Sequence, residues 1–421
     1  MKFLVSQKGS REHFLTARAL HRLGMLSHMV VDWYAPRGIL GSIMKHVPVP
    51  ALDRAFAVQA EGIPDELISP LNLVGLKDRV RCNFWRRFGR SSQATLMGDI
   101  AFAKAVSRAK VPPHDSFFGY SYASLEAMRE EKKQGKFIVL DQIDPGEREH
   151  EIIQEEALRW HQYVSHPDAV IPRRVYDRLH EEWRLADLII VNSEWSRLCN
   201  IQKGAPAEKI FVLPLAYEPK TNVDDLASGE SSQNHSPKKD KKVRILWVGR
   251  VTLQKGIQYL VEAARLLKAE PVEFLIAGES NITESSIRHA PSNMRWLGKV
   301  SHAQKELLYR SATAFVLPTL SDGFAITQLE ALAHGLPIIA TSHCGRVLEE
   351  GKTGFVIPAH DPVALANAIM RFVSDSSLHD KMSSDCKTEC CKYSIDAYGS
   401  KLVSIINNPR AQAEYKQPFS S

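Results

Sequence analysis

The sequence predicts an α/β protein of two doubly wound, Rossmann-like parallel-sheet domains, and three observations carry that prediction. At 421 residues the chain is too long for a single core and divides into two units of about 200 residues each. Its opening reads strand, polar turn, helix, strand, which is the β-α-β grammar of a parallel sheet. After a long polar stretch the same grammar restarts near Arg244.

Composition excludes several alternatives. No apolar run approaches the roughly 20 residues that span a bilayer. Lys2, Lys8 and Arg11 bracket an N-terminal run too short for a signal peptide, so a cytoplasmic protein is expected. A formal net charge of +6 is small for this length, and no motif supports nucleic-acid binding. Cys82, Cys199, Cys344, Cys386, Cys390 and Cys391 are spaced neither as a disulfide framework nor as a zinc site, which fits reduced thiols.

In chain order, Lys2 to Ser6 (KFLVS) is the first strand. Gln7-Lys8-Gly9-Ser10 is its turn, with Gly9 the one loop glycine offered to a ligand, and Phe14, Ala17 and Leu20 mark the following helix. His28 to Asp32 is the second strand. The full G-x-G-x-x-G is absent, which argues against a plain NAD fold. Lys77 to Arg90 carries Lys77, Arg79, Arg81, Arg86, Arg87 and Arg90 against one Asp78, with Val80, Phe84 and Phe88 at four-residue spacing and Trp85 beside them. That describes a helix with a cationic face. It suits an anionic membrane surface or an acidic acceptor, unless its apolar stripe simply packs in the N-terminal core. Phe137 to Asp141 (FIVLD) is a buried strand ending in the turn Gln142 to Gly146 and the charged run Glu147-Arg148-Glu149-His150. Carboxyl ends of strands face the ligand crevice, so Asp141, Asp144 and His150 are site candidates.

Leu188 to Asn192 and Phe211 to Pro214 supply further strands, with Ser193 as a helix N-cap. The first domain is expected over 1–219 and a polar linker over 220–242. The second domain is expected over 243–395, and a last helix with its tail over 396–421, crossing back toward the first domain. Arg244 to Val248, Glu273 to Ala277, Ala314 to Leu317, Pro337 to Ala340 and Phe355 to Ile357 are the strands of the second domain. Its helices include Gly256 to Lys268 and one opened by Asp361-Pro362.

Two stretches of the second domain carry chemistry. In Ser321 to Pro337 (SDGFAITQLEALAHGLP), Asp322 precedes a helix start and Glu330 lies two turns in. The Cβ tilt leans Glu330 back toward the Gly323-Phe324 turn. The N–H groups of Phe324, Ala325 and Ile326 lack intrahelical acceptors and suit an anion beside a polyol, unless Asp322 is only an acidic N-cap. In Gly249 to Gly256 (GRVTLQKG), Arg250 and Lys255 sit around one turn where a diphosphate fits between them.

These two stretches resemble glycosyltransferase family 4, the group 1 retaining glycosyltransferases of GT-B fold. GRVTLQKG matches the family's G-R-x(4)-K-G turn, and DGFAITQLEALAHGLP matches its E-x(7)-E block and G-x-P. Gly345, Glu349, Gly351 and Gly354 match the segment that follows. The resemblance implies a nucleotide-diphosphate sugar as donor substrate, a glycan, lipid-linked or small-molecule acceptor, and no metal or resident cofactor. It further implies that Arg250 and Lys255 stabilise the departing diphosphate, that Glu330 holds the ribose, and that Gly249, Gly323 and the Phe324 to Ile326 amides line the donor. Two positions depart from the pattern. Asp322 stands for the first Glu of the block, and Asp141 stands where the family often has a histidine in the N-terminal domain. Contacts to base and sugar are expected near Gly278-Glu279-Ser280 and Leu297-Gly298-Lys299. A non-catalytic sugar-nucleotide-binding protein and a GT-B epimerase are the competing readings.

Overall fold

The computed structural model describes residues 1–35, 60–165, 171–218 and 242–407. The expected linker, apart from Lys242, and the tail beyond the last helix lie outside the described residues.

The N-terminal strands are β1 Phe3–Gln7, β2 Leu26–Val31, β3 Ile68–Pro70, β4 Ser116–Tyr120, β5 Phe137–Gln142, β6 Leu188–Val191 and β7 Ile210–Val212. They form one parallel sheet in the order β3-β2-β1-β4-β5-β6-β7. The helices around it are α1 Leu15–Arg22, α2 Asn72–Arg86, α3 Ser91–Val106, α4 Leu125–Lys133, α5 Glu147–Arg159, α6 Arg173–Leu185 and α7 Glu194–Gln202. In the second domain β8 Val243–Val248, β9 Val272–Ala277, β10 Met294–Gly298, β11 Ala314–Leu317, β12 Ile338–Thr341 and β13 Gly354–Ile357 pair in parallel as β10-β9-β8-β11-β12-β13. With them come α8 Ile257–Leu266, α9 Glu284–Arg288, α10 His302–Ser311, α11 Thr327–Ala333, α12 Pro362–Ser374, α13 Leu378–Cys390 and α14 Ile395–Asn407. Strands covered by helices on both faces are largely apolar, and β4, β6, β11 and β12 are buried at every residue.

Chain order reverses between β1 and β4 in one sheet and between β8 and β11 in the other. A ligand crevice opens at such switch points, outside the carboxyl ends of the strands. Ser193 and Asp361 cap α7 and α12, accepting hydrogen bonds from the amides of Ser196 and Ala364, with Pro362 at the first position of α12. α14 leaves the second domain and lies on α1. Tyr398 Oη and Thr16 Oγ1 are 2.8 Å apart, Arg22 pairs with Asp396 at 3.1 Å, and Gly399 lets α14 approach Ala19 and Leu23.

The structure corrects several readings. β3, β4 and β10 are strands that the sequence pattern did not announce, and β10 takes in Leu297-Gly298, expected as loop. α11 begins at Thr327, so Asp322 is no N-cap and Glu330 falls in the first turn. Ala325 stands at φ 63°, a left-handed conformation that cannot belong to the helix. The apolar stripe of α2 does not pack in the core. Leu73, Leu76, Val80 and Phe84, with Phe88 just beyond the helix, are 49–75% exposed. Part of the cationic set turns inward instead: Arg79 stacks on Trp33, 4.3 Å from the ring centre, and Arg81 pairs with Asp78.

Candidate active site between the two domains

β8 ends at the Gly249 turn and re-enters helix at Gly256, whose φ of 73° takes the chain into α8. A Cβ on Gly256 would stand 1.8 Å from the Pro318 carbonyl oxygen, so only glycine lets this turn close on the chain leaving β11. That packing places Lys255 beside Asp322, and the two form a direct ion pair. Burial pushes the Lys255 ammonium down to about 8. The Glu149 carboxylate opposes the fall and the Arg250 guanidinium adds to it. Arg250 itself is exposed and makes no ion pair or hydrogen bond among the described residues. The cation pair expected around a diphosphate is thus one free guanidinium and one ammonium neutralised by a carboxylate.

The Asp322 amide donates to the His343 carbonyl at 2.9 Å, which fixes the start of the Gly323 turn. Gly323 abuts the other domain, since a Cβ there would meet the Ile143 carbonyl oxygen at 2.7 Å. Phe324 is buried under Gly345, and the amides of Phe324, Ala325 and Ile326 donate to no acceptor among the described residues. Glu330 does not lean toward this turn. Its carboxylate takes hydrogen bonds from Lys305 Nζ at 2.6 Å and Tyr309 Oη at 2.8 Å, because α10 packs alongside and presents those donors. Tyr309 in turn stacks on His334.

Of the N-terminal candidates, Asp141 lies at the end of β5, buried, and its carboxyl is raised well above the usual range by burial and then by the nearby Glu12. Burial holds the Glu12 carboxyl up at about 7, against the pull of Arg11. Glu12, His13 and Phe14 follow one another at φ 52°, 50° and 61°, three left-handed residues without a glycine. The Gly9 amide is already engaged by Asp32 Oδ1 at 2.7 Å. His150 is engaged within its own domain, its Nδ1 bonded to Tyr176 Oη at 2.9 Å, and Asp144 accepts from Tyr122 Oη and the Gly146 amide to shape its own turn.

The residue that the sequence passed over in that segment is Glu149, in the middle of the charged run. Its carboxylate accepts from Ser321 Oγ at 3.0 Å across the domain boundary, while Ser321 accepts from Trp195 Nε1 at 3.0 Å. Trp195 stacks on His343 with ring centres 3.9 Å apart. Further along α5, buried Glu156 binds Gln258 and Tyr259, each at 2.9 Å, and Tyr259 reaches His360. The two domains therefore meet along α5 and α7.

Residues 242–375 match the family model described as Glycosyl transferases group 1. They form a group 1 glycosyltransferase domain. Both motif turns, Gly249 to Gly256 and Ser321 to Pro337, fall inside that domain. Among similar proteins, an uncharacterized glycosyltransferase of Methanocaldococcus jannaschii is 29% identical over 178 residues, covering 39% of this chain and 45% of that one. The amylovoran biosynthesis glycosyltransferase AmsK of Erwinia amylovora is 27% identical over 271 residues, 60% and 59% of the two chains. The chain spans about half the length of the curated relatives it matches. Among solved structures, Anabaena HepE in complex with UDP and glucose superposes over 97% of this chain and 100% of that chain, with a TM-score of 0.58 at 14% identity. Sucrose-phosphate synthase from Thermosynechococcus elongatus superposes over 98% and 100%, with a TM-score of 0.59 at 17% identity. The group 1 domain and the N-terminal sheet together make the GT-B fold. Among the described residues no helix is long and apolar enough to cross a membrane.

Proposed function

We propose that the protein is a retaining, metal-independent glycosyltransferase that moves a sugar from a nucleoside diphosphate sugar to a glycan or lipid-linked acceptor. The observation that carries the reading is the Gly249–Gly256 turn, which pairs Lys255 with Asp322 just before the unbonded Phe324–Ile326 amides and carries Arg250 close enough to act on the Lys255 ammonium, at one switch point of the group 1 domain. Negative charge grows on the leaving diphosphate, and fixed cations with preorganised amides stabilise it without having to reorganise. In this reading Arg250 and Lys255 bind the diphosphate, Asp322 contacts a donor-sugar hydroxyl directly or through a water, and Glu330 accepts from the ribose hydroxyls while keeping Lys305 and Tyr309. The complex of HepE with UDP and glucose supports a uridine donor as the first to try.

The test is a thermal-shift panel of UDP, GDP and ADP with their sugars, followed by turnover of the best donor. Arg250→Ala and Lys255→Ala each lower kcat/KM by about 10²-fold or more. Unchanged turnover in both variants refutes the assignment of the diphosphate site.

A second observation concerns where the enzyme works. The exposed stripe Leu73, Leu76, Val80, Phe84, Phe88 shares its side of the molecule with exposed Lys77, Arg87 and Arg90. Apolar side chains ringed by cations match an anionic bilayer surface, and we infer that α2 rests on one, at the inner face of the membrane.

A further inference from the structure

The donor site is not confined to the group 1 domain. The first turn of α5 lies on the Leu253–Lys255 turn, so a helix of the N-terminal domain covers the place assigned to the diphosphate. Glu149 is the side chain it presents there. Its carboxylate takes the Ser321 hydroxyl at 3.0 Å, the Gln254 Nε2 donates to the Ser321 carbonyl at 3.1 Å, and the Lys255 ammonium lies within the Glu149 field. Ser321 is adjacent to Asp322, the partner of Lys255. Three negative groups would therefore contend for one ammonium on donor binding: Asp322, Glu149 and the diphosphate.

We propose that Glu149 is the charge-sensing residue of the donor site: ionised, it holds the cleft shut on Ser321 and opposes an incoming diphosphate, and protonated, it donates a hydrogen bond to that diphosphate. Each donor molecule that binds the ionised form then takes up one proton from solvent, which ends on the Glu149 carboxyl, so the uptake follows the ionised fraction and rises with pH through 7. The inference rests on the diphosphate assignment made above and adds its regulation by pH.

The groups around Glu149 agree with this role. From its own domain it faces Asp144 and Tyr122 in the neighbouring loops and Cys199 on α7, while Arg148 beside it is drawn off by Glu151 and Glu155. From the group 1 domain it faces Lys255, with Arg250, Asp322 and Cys344 around that ammonium. Burial and the Asp144 charge raise the Glu149 carboxyl to about 7, while Ser321, Lys255 and Gln254 pull it down. The carboxyl is thus poised to change state close to neutrality, where a nearby diphosphate decides which form prevails.

The probes are UDP-glucose, GDP-mannose and ADP-glucose, whose diphosphates are esterified at both ends and carry no proton that titrates near pH 7. Affinity is measured by calorimetry from pH 6 to 8, in two buffers of different ionisation enthalpy, for the full chain and for Glu149→Gln. Glutamine keeps an oxygen for Ser321 and for the fold. The natural protein loses affinity about tenfold between pH 6 and 8 and takes up a proton on binding, as a carboxyl of pKa about 7 requires. Glu149→Gln loses the carboxyl's tenfold term and keeps only the smaller fall set by Lys255, so its affinity declines less from pH 6 to 8 and its proton uptake is smaller and follows the lysine alone. Binding with the same pH dependence in both proteins overturns this inference and leaves the donor reading standing. If none of the three probes binds at pH 6, the donor reading falls, and this inference with it.

Discussion

Asp322→Asn separates two things that the same carboxylate does. In the donor-free protein Asp322 neutralises a partly buried Lys255, while in the proposed complex the diphosphate takes that place. Two unit charges in contact attract by about 4 kcal/mol at an effective dielectric of 20, and desolvation returns much of that, which leaves a net pair worth about 1–2 kcal/mol. The substitution removes this term from the free protein only, so a bare nucleoside diphosphate binds roughly 5–30 times more tightly. The assay belongs at pH 6, where Lys255 keeps its proton even after the loss of Asp322 lowers it from about 8, and Glu149, titrating at about 7, is mostly neutral. Turnover moves the other way. The donor sugar loses an anionic hydrogen-bond acceptor, so kcat/KM falls by about tenfold or more, whereas Asp322→Glu keeps the charge and most of the activity. Equilibrium dialysis with UDP, beside initial rates with the preferred donor, decides it. A nucleotide affinity that stays level or weakens in Asp322→Asn means that Lys255 does not hold the diphosphate.

Gly256→Ala forces a Cβ to within 1.8 Å of the Pro318 carbonyl oxygen at a left-handed φ, so a loss on the order of 3 kcal/mol in a denaturant melt and loss of donor binding are expected. Sedimentation with anionic vesicles should be strong in low salt, fall as salt is added and fall again in a Phe84→Ser/Phe88→Ser variant; equal absence of binding to anionic and neutral vesicles makes α2 purely structural. Glu12, Glu149 and Glu182 each titrate near 7, raised chiefly by burial, and so bind protons in the native state that the unfolded chain has already released. Their stabilisation is complete below about pH 4.5 and is lost as pH rises through 7, so the melting temperature should decline from pH 5 to 7.5 and decline less in Glu12→Gln.

What the sequence disclosed and what it withheld follow from the range of the interactions. Strands such as β5 and β11 could be read to within a residue because each carries a run of four apolar residues, Phe137 to Leu140 and Ala314 to Leu317, between its neighbours. β10 is an edge strand with Arg295 exposed, and β3 has three residues, so neither writes a recognisable run. The Arg250–Lys255 turn was legible because both cations lie in one short segment. The true partners of Glu330, Lys305 and Tyr309, are 25 and 21 residues away, and Glu149 meets Ser321 across 172 residues and a domain boundary. Local spacing encodes neither contact. The left-handed Ala325 that delays α11 is equally silent, since alanine carries no mark of that conformation.

The seat of α14 on α1 bears on how the molecule is made. Tyr398 and Gly399 close a surface formed by Thr16, Ala19 and Leu23, so the N-terminal domain lacks one of its own walls until α14 has emerged from the ribosome. At 5–20 residues per second the interval from Glu218 to Ile395 lasts roughly 10–35 s, during which α1 presents an uncovered apolar strip. Nascent chains halted within that interval should therefore engage chaperones through α1, while the group 1 domain folds behind it.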